Sequence, residues 1–321
     1  MSRALLALLL CFLAALRPAP AEAADKVTVG VVGEFNAFTW PASIAEARHL
    51  YAAHGVEPEI IFMPSSPGML QQLAAGSLDI AASAGLVDPI RLVARKAGVA
   101  IARVSLRVSP YVVVGKPALR SLADLKGKKV GIGSRQNITF VLITNMLAPF
   151  KLTPDDVEMM YSGSTVSRYA ALKTGAYDAT MLAPPASFIA ESDGFKTLGV
   201  AGDYNKDLPF TGSIVNRAWA SAHLDAAKNF FAAEDEATDW FYDDANRAEA
   251  IKILIDAAKS SPEEAAKSYD FLRGGNYFDR TRTLSRKGVA ALVAALHALG
   301  DNDVEVGAED AVIPGLTAVS E

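Results

Sequence analysis

The stretch LAAGSLDIAAS, residues 73–83, returns in altered form as LKTGAYDATML, residues 172–182. The match extends toward the N-terminus at a constant offset of 99 residues, and it pairs Ser65 with Ser164, Ser66 with Thr165, Leu73 with Leu172, Gly76 with Gly175 and Asp79 with Asp178. Agreement at so many separate positions indicates an internal duplication. We therefore expect one structural unit to occur twice in the chain.

The sequence around each copy alternates between strand and helix patterns. Compact apolar runs are typical of buried parallel strands, and a serine before or a glycine after an apolar periodic run marks a helix end. In the first copy the predicted strands are 26–33, 57–63 and 79–83, separated by helices at 41–55 and 65–76. In the second copy the strands are 128–134, 156–161 and 178–183, separated by helices at 137–150 and 164–175. Each copy is thus a β-α-β-α-β unit.

Extended segments follow both copies, at 108–115 and 207–220, and the remainder of the chain is mostly helical in pattern. A duplicated α/β unit with two extended segments predicts two α/β lobes joined by two crossing segments, near 109–112 and 209–213. Lobe one would comprise residues 24–111 and 213–321, and lobe two residues 112–212. We expect a ligand in the cleft between them.

The N-terminus has the pattern of an export signal. Arg3 precedes the apolar run Ala4–Leu16, and the small residues Ala21 and Ala23 form a cleavage site. The apolar run is shorter than the roughly 20 residues that span a bilayer. We therefore expect cleavage near Ala23 and a mature protein in the periplasm.

Composition excludes several classes of function. The net charge is −5, and removal of the predicted signal makes it one unit more negative, which argues against binding to nucleic acid. The signal also carries the chain's one cysteine, so disulfides and thiol chemistry are not expected. The four histidines lack metal-ligand spacing, and GIGSRQ (131–136) lacks the third glycine of a dinucleotide site. We expect neither a metal nor a cofactor, and no enzymatic activity.

Ligands of open parallel sheets bind beyond the carboxyl ends of the strands, where helix N-termini also point. The strand-to-helix loops of both copies would therefore line the cleft. The candidate ligand-binding residues are Asn36, Phe38, Trp40, Ser65, Ser66, Ser83, Gly85, Ser134, Arg135, Asn137, Thr139, Ser164, Thr165 and Pro184.

Alternatives remain for most of these residues. The four matched serine and threonine positions could cap helices or touch a ligand, and Asn137 and Thr139 allow the same two roles. Arg135 could complement an anion or be solvated. Phe38 and Trp40 are less easily placed in a core, because they follow a strand in a loop, and they could stack on a planar or apolar solute. Asp79 and Asp178 are expected to bond local backbone.

Four motifs, in this order and spacing, carry a family resemblance: LQQLAAGSLDIA (70–81), SLADLKGKKVGI (121–132), PDDVEMM (154–160) and ALKTGAYDA (171–179). With the export signal, they resemble the periplasmic substrate-binding proteins of ABC importers, in the nitrate/sulfonate/taurine group that also includes binders of thiamine-pyrimidine precursors. The resemblance covers roughly Lys26 to Leu198, and beyond it only the helical pattern agrees.

The resemblance implies a type II periplasmic binding protein fold and a monomer that delivers a small organic solute to an inner-membrane ABC permease. From the helix N-termini and Arg135 we expect the solute to have an anionic or polar end, and from Phe38 and Trp40 a body that could be aromatic. Two alternatives stay open. One is an enzyme on the same fold, of the pyrimidine-precursor or menaquinone-pathway type, and the other is a sensory receptor.

Overall fold

A computed structural model of the chain describes residues 24–33 and 37–321. The predicted signal peptide and the candidate residue Asn36 lie outside the described residues. The strands are β1 (Asp25–Val32), β2 (Val56–Met63), β3 (Ile80–Gly85), β4 (Val99–Leu106), β5 (Val112–Gly115), β6 (Lys129–Ile132), β7 (Glu158–Tyr161), β8 (Ala179–Leu182), β9 (Lys196–Val200), β10 (Thr211–Asn216), β11 (Thr283–Ser285) and β12 (Ala318–Ser320).

The α-helices are α1 (Trp40–Ala47), α2 (Leu50–Ala53), α3 (Ser66–Ala74), α4 (Val87–Ala94), α5 (Ile138–Leu147), α6 (Thr165–Lys173), α7 (Ala186–Ser192), α8 (Ala201–Tyr204), α9 (Arg217–Ala222), α10 (Leu224–Phe241), α11 (Arg247–Ala258), α12 (Pro262–Gly274), α13 (Arg286–Ala298) and α14 (Ala308–Ala311). Short 3-10 turns occur at Ala37–Thr39, Leu122–Leu125, Ala148–Phe150, Pro154–Asp156 and Asp244–Asn246. Among the described helices, none combines the length and apolar character needed to span a membrane.

Two five-stranded sheets have the same strand arrangement. The first sheet has the order β2-β1-β3-β10-β4 and the second the order β7-β6-β8-β5-β9. In each sheet the first three strands are parallel, and the fourth, β10 or β5, is antiparallel to both of its neighbours. The predicted duplication and the fold class of two α/β lobes are confirmed. We call the elements packed on the first sheet lobe one and those on the second sheet lobe two.

The chain passes between the sheets twice. It leaves lobe one after β4 and enters β5, and it returns from α8 into β10 of the first sheet. The lobe boundaries drawn from the sequence stay a prediction. Thr211 and Gly212, placed there in lobe two, pair with β3 and β4 of the first sheet.

The structure differs from the sequence interpretation around residues 41–55. The predicted single helix is divided into α1 and α2, because His49 has a left-handed backbone with φ of 57°. An L-residue in this region interrupts the helical hydrogen-bond ladder. The elements α4, β4 and β9 were not assigned from the sequence, and β4 and β9 complete the outer edges of the two sheets.

The two repeated aspartates join neighbouring strands. The Asp79 carboxylate accepts hydrogen bonds from the Thr28 backbone N–H at 2.8 Å and from its hydroxyl at 2.7 Å. The Asp178 carboxylate accepts from the Lys129 backbone N–H at 3.0 Å and pairs with Lys116 at 2.7 Å. Both aspartates therefore bond backbone, as expected, and their duplication reflects the shared sheet.

Candidate ligand-binding site

A cavity of about 520 Å³ lies between the two lobes, at the carboxyl ends of the parallel strands. Its wall is formed by loops of both lobes and by both crossing segments. Most candidate residues from the sequence line it, namely Phe38, Ser65, Ser66, Ser83, Gly85, Ser134, Asn137, Thr139, Ser164, Thr165 and Pro184. The duplicated loops thus converge on one cavity, and contact of these residues with a solute stays a prediction.

Helices α3 and α6 begin at the cavity. Ser65 Oγ accepts a hydrogen bond from the Gly68 N–H at 3.4 Å, and Ser164 Oγ accepts from the Ser167 N–H at 3.1 Å. These two serines therefore act as helix caps. Ser66 Oγ is buried and has no hydrogen-bond partner among the described residues. A buried hydroxyl without a partner is costly, so this group is available to an occupant of the cavity.

Asn137 and Thr139 use much of their hydrogen-bonding capacity within their own loop. Asn137 Oδ1 accepts from the Thr139 N–H at 3.0 Å and from its hydroxyl at 2.6 Å. Thr139 Oγ1 in turn accepts from the Gly133 N–H at 2.9 Å. Asn137 caps α5, and Thr139 ties the Gly133 loop to the start of the helix.

Three aromatic rings form an apolar wall at the crossing segments. Phe38, Tyr111 and Phe210 contact one another edge to face, with ring centroids 5.3–5.4 Å apart. Tyr111 and Phe210 were missed from the sequence. Each follows a proline in a crossing segment, at Pro110 and Pro209, and this shared pattern is the signal that could have identified them.

Arg168 is the main polar residue that sequence reasoning missed. It is fully buried in α6, and its guanidinium donates to the carbonyls of Met181, Ser162 and Gly163 at 2.8–3.1 Å. It also donates to Thr165 Oγ1 at 3.2 Å. Among the described residues no carboxylate pairs with it. A buried cation that only dipoles compensate leaves a positive potential beside the cavity.

The prediction that Trp40 lines the cleft is wrong. Trp40 is fully buried, donates from Nε1 to the Ala250 carbonyl at 2.9 Å, and packs edge-on against Phe241 and Tyr269. These partners come from the C-terminal helices α10, α11 and α12. The apolar core that they form with α1 was not visible in the local sequence, so the ring was assigned to the loop.

The structure also contradicts the placement of Arg135 in the cavity. Its side chain is exposed, with Cζ 5.9 Å from the Phe140 ring centroid, and it is absent from the described wall. The adjacent Ser134 faces the cavity instead. Solvation, the second role considered for Arg135, is the one observed.

One strained residue and two close contacts between the lobes lie at the cavity. Ser83 has a left-handed backbone, with φ of 54°, at the point where β3 meets the cavity. Strained non-glycine residues of this kind cluster at functional sites. Gly85 lies against Ile138 of lobe two, and a Cβ at Gly85 would lie 2.9 Å from Ile138 Cγ2. The Ala37 N–H also donates to the Pro184 carbonyl across the cleft at 3.3 Å.

The titratable groups in the described wall are Asp88, Tyr111 and Tyr169. Burial raises the pKa of Asp88, and the opposing effect of Arg91 only partly offsets it. Tyr169 donates its hydroxyl to Asp193, and burial together with this hydrogen bond raises its pKa. Within the ranges 24–33 and 37–321 the wall contains neither histidine nor cysteine.

Comparison with known proteins agrees with this geometry. The family model for the ABC transporter phosphonate periplasmic substrate-binding protein matches residues 46–240. A protein of Brucella abortus (strain 2308) named as a binding protein is 28% identical over 274 residues, 82% of each chain.

Two solved structures share the fold. The alkanesulfonate-binding protein SsuA from Xanthomonas axonopodis pv. citri, bound to MOPS, is similar with a TM-score of 0.72 and 18% identity, over 94% of this chain and 100% of that one. The desulfurization enzyme DSZB is similar with a TM-score of 0.66 and 13% identity, over 91% and 97% of the two chains. The fold thus agrees with the resemblance stated from the sequence, and the family match decides membership: this chain belongs to the periplasmic substrate-binding proteins of ABC transporters.

Proposed function

We propose that this protein captures a small organic solute with an anionic end in the periplasm and delivers it to an ABC permease, without chemistry of its own. The observation that carries the proposal is the cavity itself. Its wall is assembled from both lobes and both crossing segments, so one solute would contact all of them. Contact with both lobes favours the closed conformation, because binding energy is gained in full only there.

Two helix N-termini in the cavity wall support an anionic group on the solute. The N-termini of α3 and α6 carry partial positive charge and unpaired N–H groups, which favour anions. Buried Arg168 adds a full positive charge beneath Thr165. We infer that the acidic group of the solute lies between Ser66 and Thr165.

The apolar part of the cavity wall supports an organic body on the solute. Phe38, Tyr111 and Phe210 form an aromatic surface, and Ile138 and Ile189 extend it. A cavity of about 520 Å³ falls within the range of small-molecule sites and is far larger than a bare inorganic anion. A sulfonate, phosphonate or carboxylate on an alkyl or aromatic body fits both the helix N-termini and the apolar surface.

A thermal-shift panel of such compounds tests the proposal. At 100 times its Kd a ligand adds about 2.7 kcal/mol, which raises the melting temperature by about 5–10 °C, or somewhat less for a chain of this size. Small-angle scattering with the best compound should show compaction. A panel without any stabilising organic anion, combined with an unchanged scattering profile, would contradict the proposed solute class and the closure.

A further inference from the structure

Asp88 is the one acidic side chain in the described wall of the cavity. It lies in the first turn of α4, and its side chain is 16% exposed. One carboxylate oxygen, Oδ1, accepts a hydrogen bond from Arg91 Nη1 at 2.5 Å. Among the described residues the other oxygen, Oδ2, accepts none. An acceptor with free capacity therefore lies in the cavity wall after the central strand β3, whereas the helix N-termini at Ser66 and Thr165 follow the edge strands β2 and β7.

A second unsatisfied group lies beside the end of β3. The Thr211 side chain is 3% exposed, and its hydroxyl has no partner in the part of the chain that the structure describes. Thr211 pairs with Gly85, and Gly85 precedes Asp88 by three residues. Gly85, Asp88 and Thr211 all line the cavity. Buried hydroxyls are nearly always satisfied in native proteins, so this one indicates a place for a ligand atom.

Arg91 holds Asp88 and also reaches the opposite lobe. Its Nε donates to Asp301 Oδ2 at 2.8 Å, and its Nη2 donates to the Gln136 carbonyl at 3.1 Å. Gln136 lies in lobe two, between β6 and α5, whereas Asp88 and Asp301 lie in lobe one. The planar guanidinium fork can make these bonds in three directions, which a lysine ammonium on its flexible stem cannot reproduce.

Building on the proposed function, we propose that Asp88 is a specificity-determining residue that accepts a hydrogen bond from an amino or hydroxyl group of the solute. Arg91 is its positioning residue and ties the Asp88 contact to Gln136 of lobe two. A solute that donates beside β3 satisfies Asp88 Oδ2 or the Thr211 hydroxyl and stabilises the closed form. A solute that presents an acceptor there faces the carboxylate and is disfavoured.

Matched pairs of probes test the specificity. The pairs are benzenesulfonate with 4-aminobenzenesulfonate, ethanesulfonate with taurine, and ethylphosphonate with 2-aminoethylphosphonate, measured by isothermal titration calorimetry. Within each pair that binds, we expect the amino member to bind at least about tenfold more tightly, as a charge-assisted hydrogen bond allows. Asp88→Asn should reduce that preference to about threefold or less. Equal affinities in the wild type, or a preference that survives Asp88→Asn, would overturn the role of Asp88 and leave solute binding intact.

A distance measurement between the lobes tests the positioning role of Arg91 separately. Residues 24–321 contain no cysteine, so a Glu57→Cys, Arg120→Cys variant accepts spin labels at one position in each lobe. With the best-binding probe at saturation, Arg91→Lys should broaden the distance distribution and lengthen its mean, whereas Arg95→Lys, a matched change at the exposed residue that follows α4, should not. An Arg91→Lys distribution identical to that of the wild type would overturn the positioning role of Arg91. If no member of any pair bound the wild type, the anion-ended solute class would fail, and this proposal would fail with it.

Discussion

Ser65 and Ser164, which lie 99 residues apart in the chain, cap helices at equivalent positions on opposite sides of one cavity. The Oγ atoms accept hydrogen bonds from the N–H groups of Gly68 and Ser167, at 3.4 and 3.1 Å. The residues that follow them, Ser66 and Thr165, also line the cavity. Two helix N-termini therefore point at the same space, which is the basis for expecting an anionic group there.

Replacement of Trp40 tests whether its side chain belongs to the core of lobe one. Trp40→Ala should lower the free energy of unfolding by about 3–5 kcal/mol, since it removes a fully buried indole. Affinity for the best solute should stay nearly unchanged, because Trp40 does not line the cavity. Chemical denaturation and calorimetry measure the two quantities. Loss of binding with an unchanged unfolding curve would instead place Trp40 in the cleft.

Closure of the lobes can be blocked at Gly85. Gly85→Ala introduces a Cβ 2.9 Å from Ile138 Cγ2, an overpacking that should weaken solute binding by about tenfold. The double variant Gly85→Ala, Ile138→Ala should regain most of the affinity, since it restores the space. Calorimetry gives the coupling between the two sites. Strictly additive losses in the double variant would show that this contact does not limit closure.

Substitution of Arg168 and of Arg135 distinguishes the effect of a buried charge on binding from that of an exposed charge. Arg168→Met should weaken binding of an organic anion by at least about tenfold, because a charge acts strongly where water is excluded. Arg135→Met should change it by less than about twofold, because Arg135 is exposed and outside the cavity. Arg168→Lys keeps the charge and should recover part of the loss. The reverse order of effects would contradict the assignment of the anion site.

The buried carboxyl group of Glu234 should make the free energy of unfolding depend on pH. Burial raises its pKa to about 7, although the Tyr51 hydroxyl donates to it at 3.2 Å and opposes the shift. The folded state then binds a proton that the unfolded state has released, so stability falls as pH rises from about 4.5 to about 7. Relative to Glu234→Gln, the wild type should lose up to about 1.4 kcal/mol per pH unit in this window. If the free energies of unfolding of the two proteins changed in parallel from pH 5 to 8, Glu234 would have an ordinary pKa.

The sequence predicted those features that depend on short-range pattern. The repeat placed Ser65 and Ser164 at helix starts and both triplets of parallel strands in equivalent sheets. It failed for Trp40, whose partners Ala250 and Tyr269 lie more than 200 residues away in helices that local pattern does not connect to it. Arg168 was missed because arginine is rarely buried, and here only backbone carbonyls and neighbouring hydroxyls hold it.

Native mass spectrometry of the protein, purified from the periplasm without added ligand, tests directly whether the cavity captures an organic anion. We expect a fraction of the protein to retain one organic anion, in a 1:1 complex that dissociates at higher collision energy. A Ser66→Trp variant, which fills the space between the two helix N-termini, should emerge as apoprotein. The same retained mass in both proteins, or binding of only bare inorganic ions by the wild type, would contradict the capture of an organic anion in this cavity.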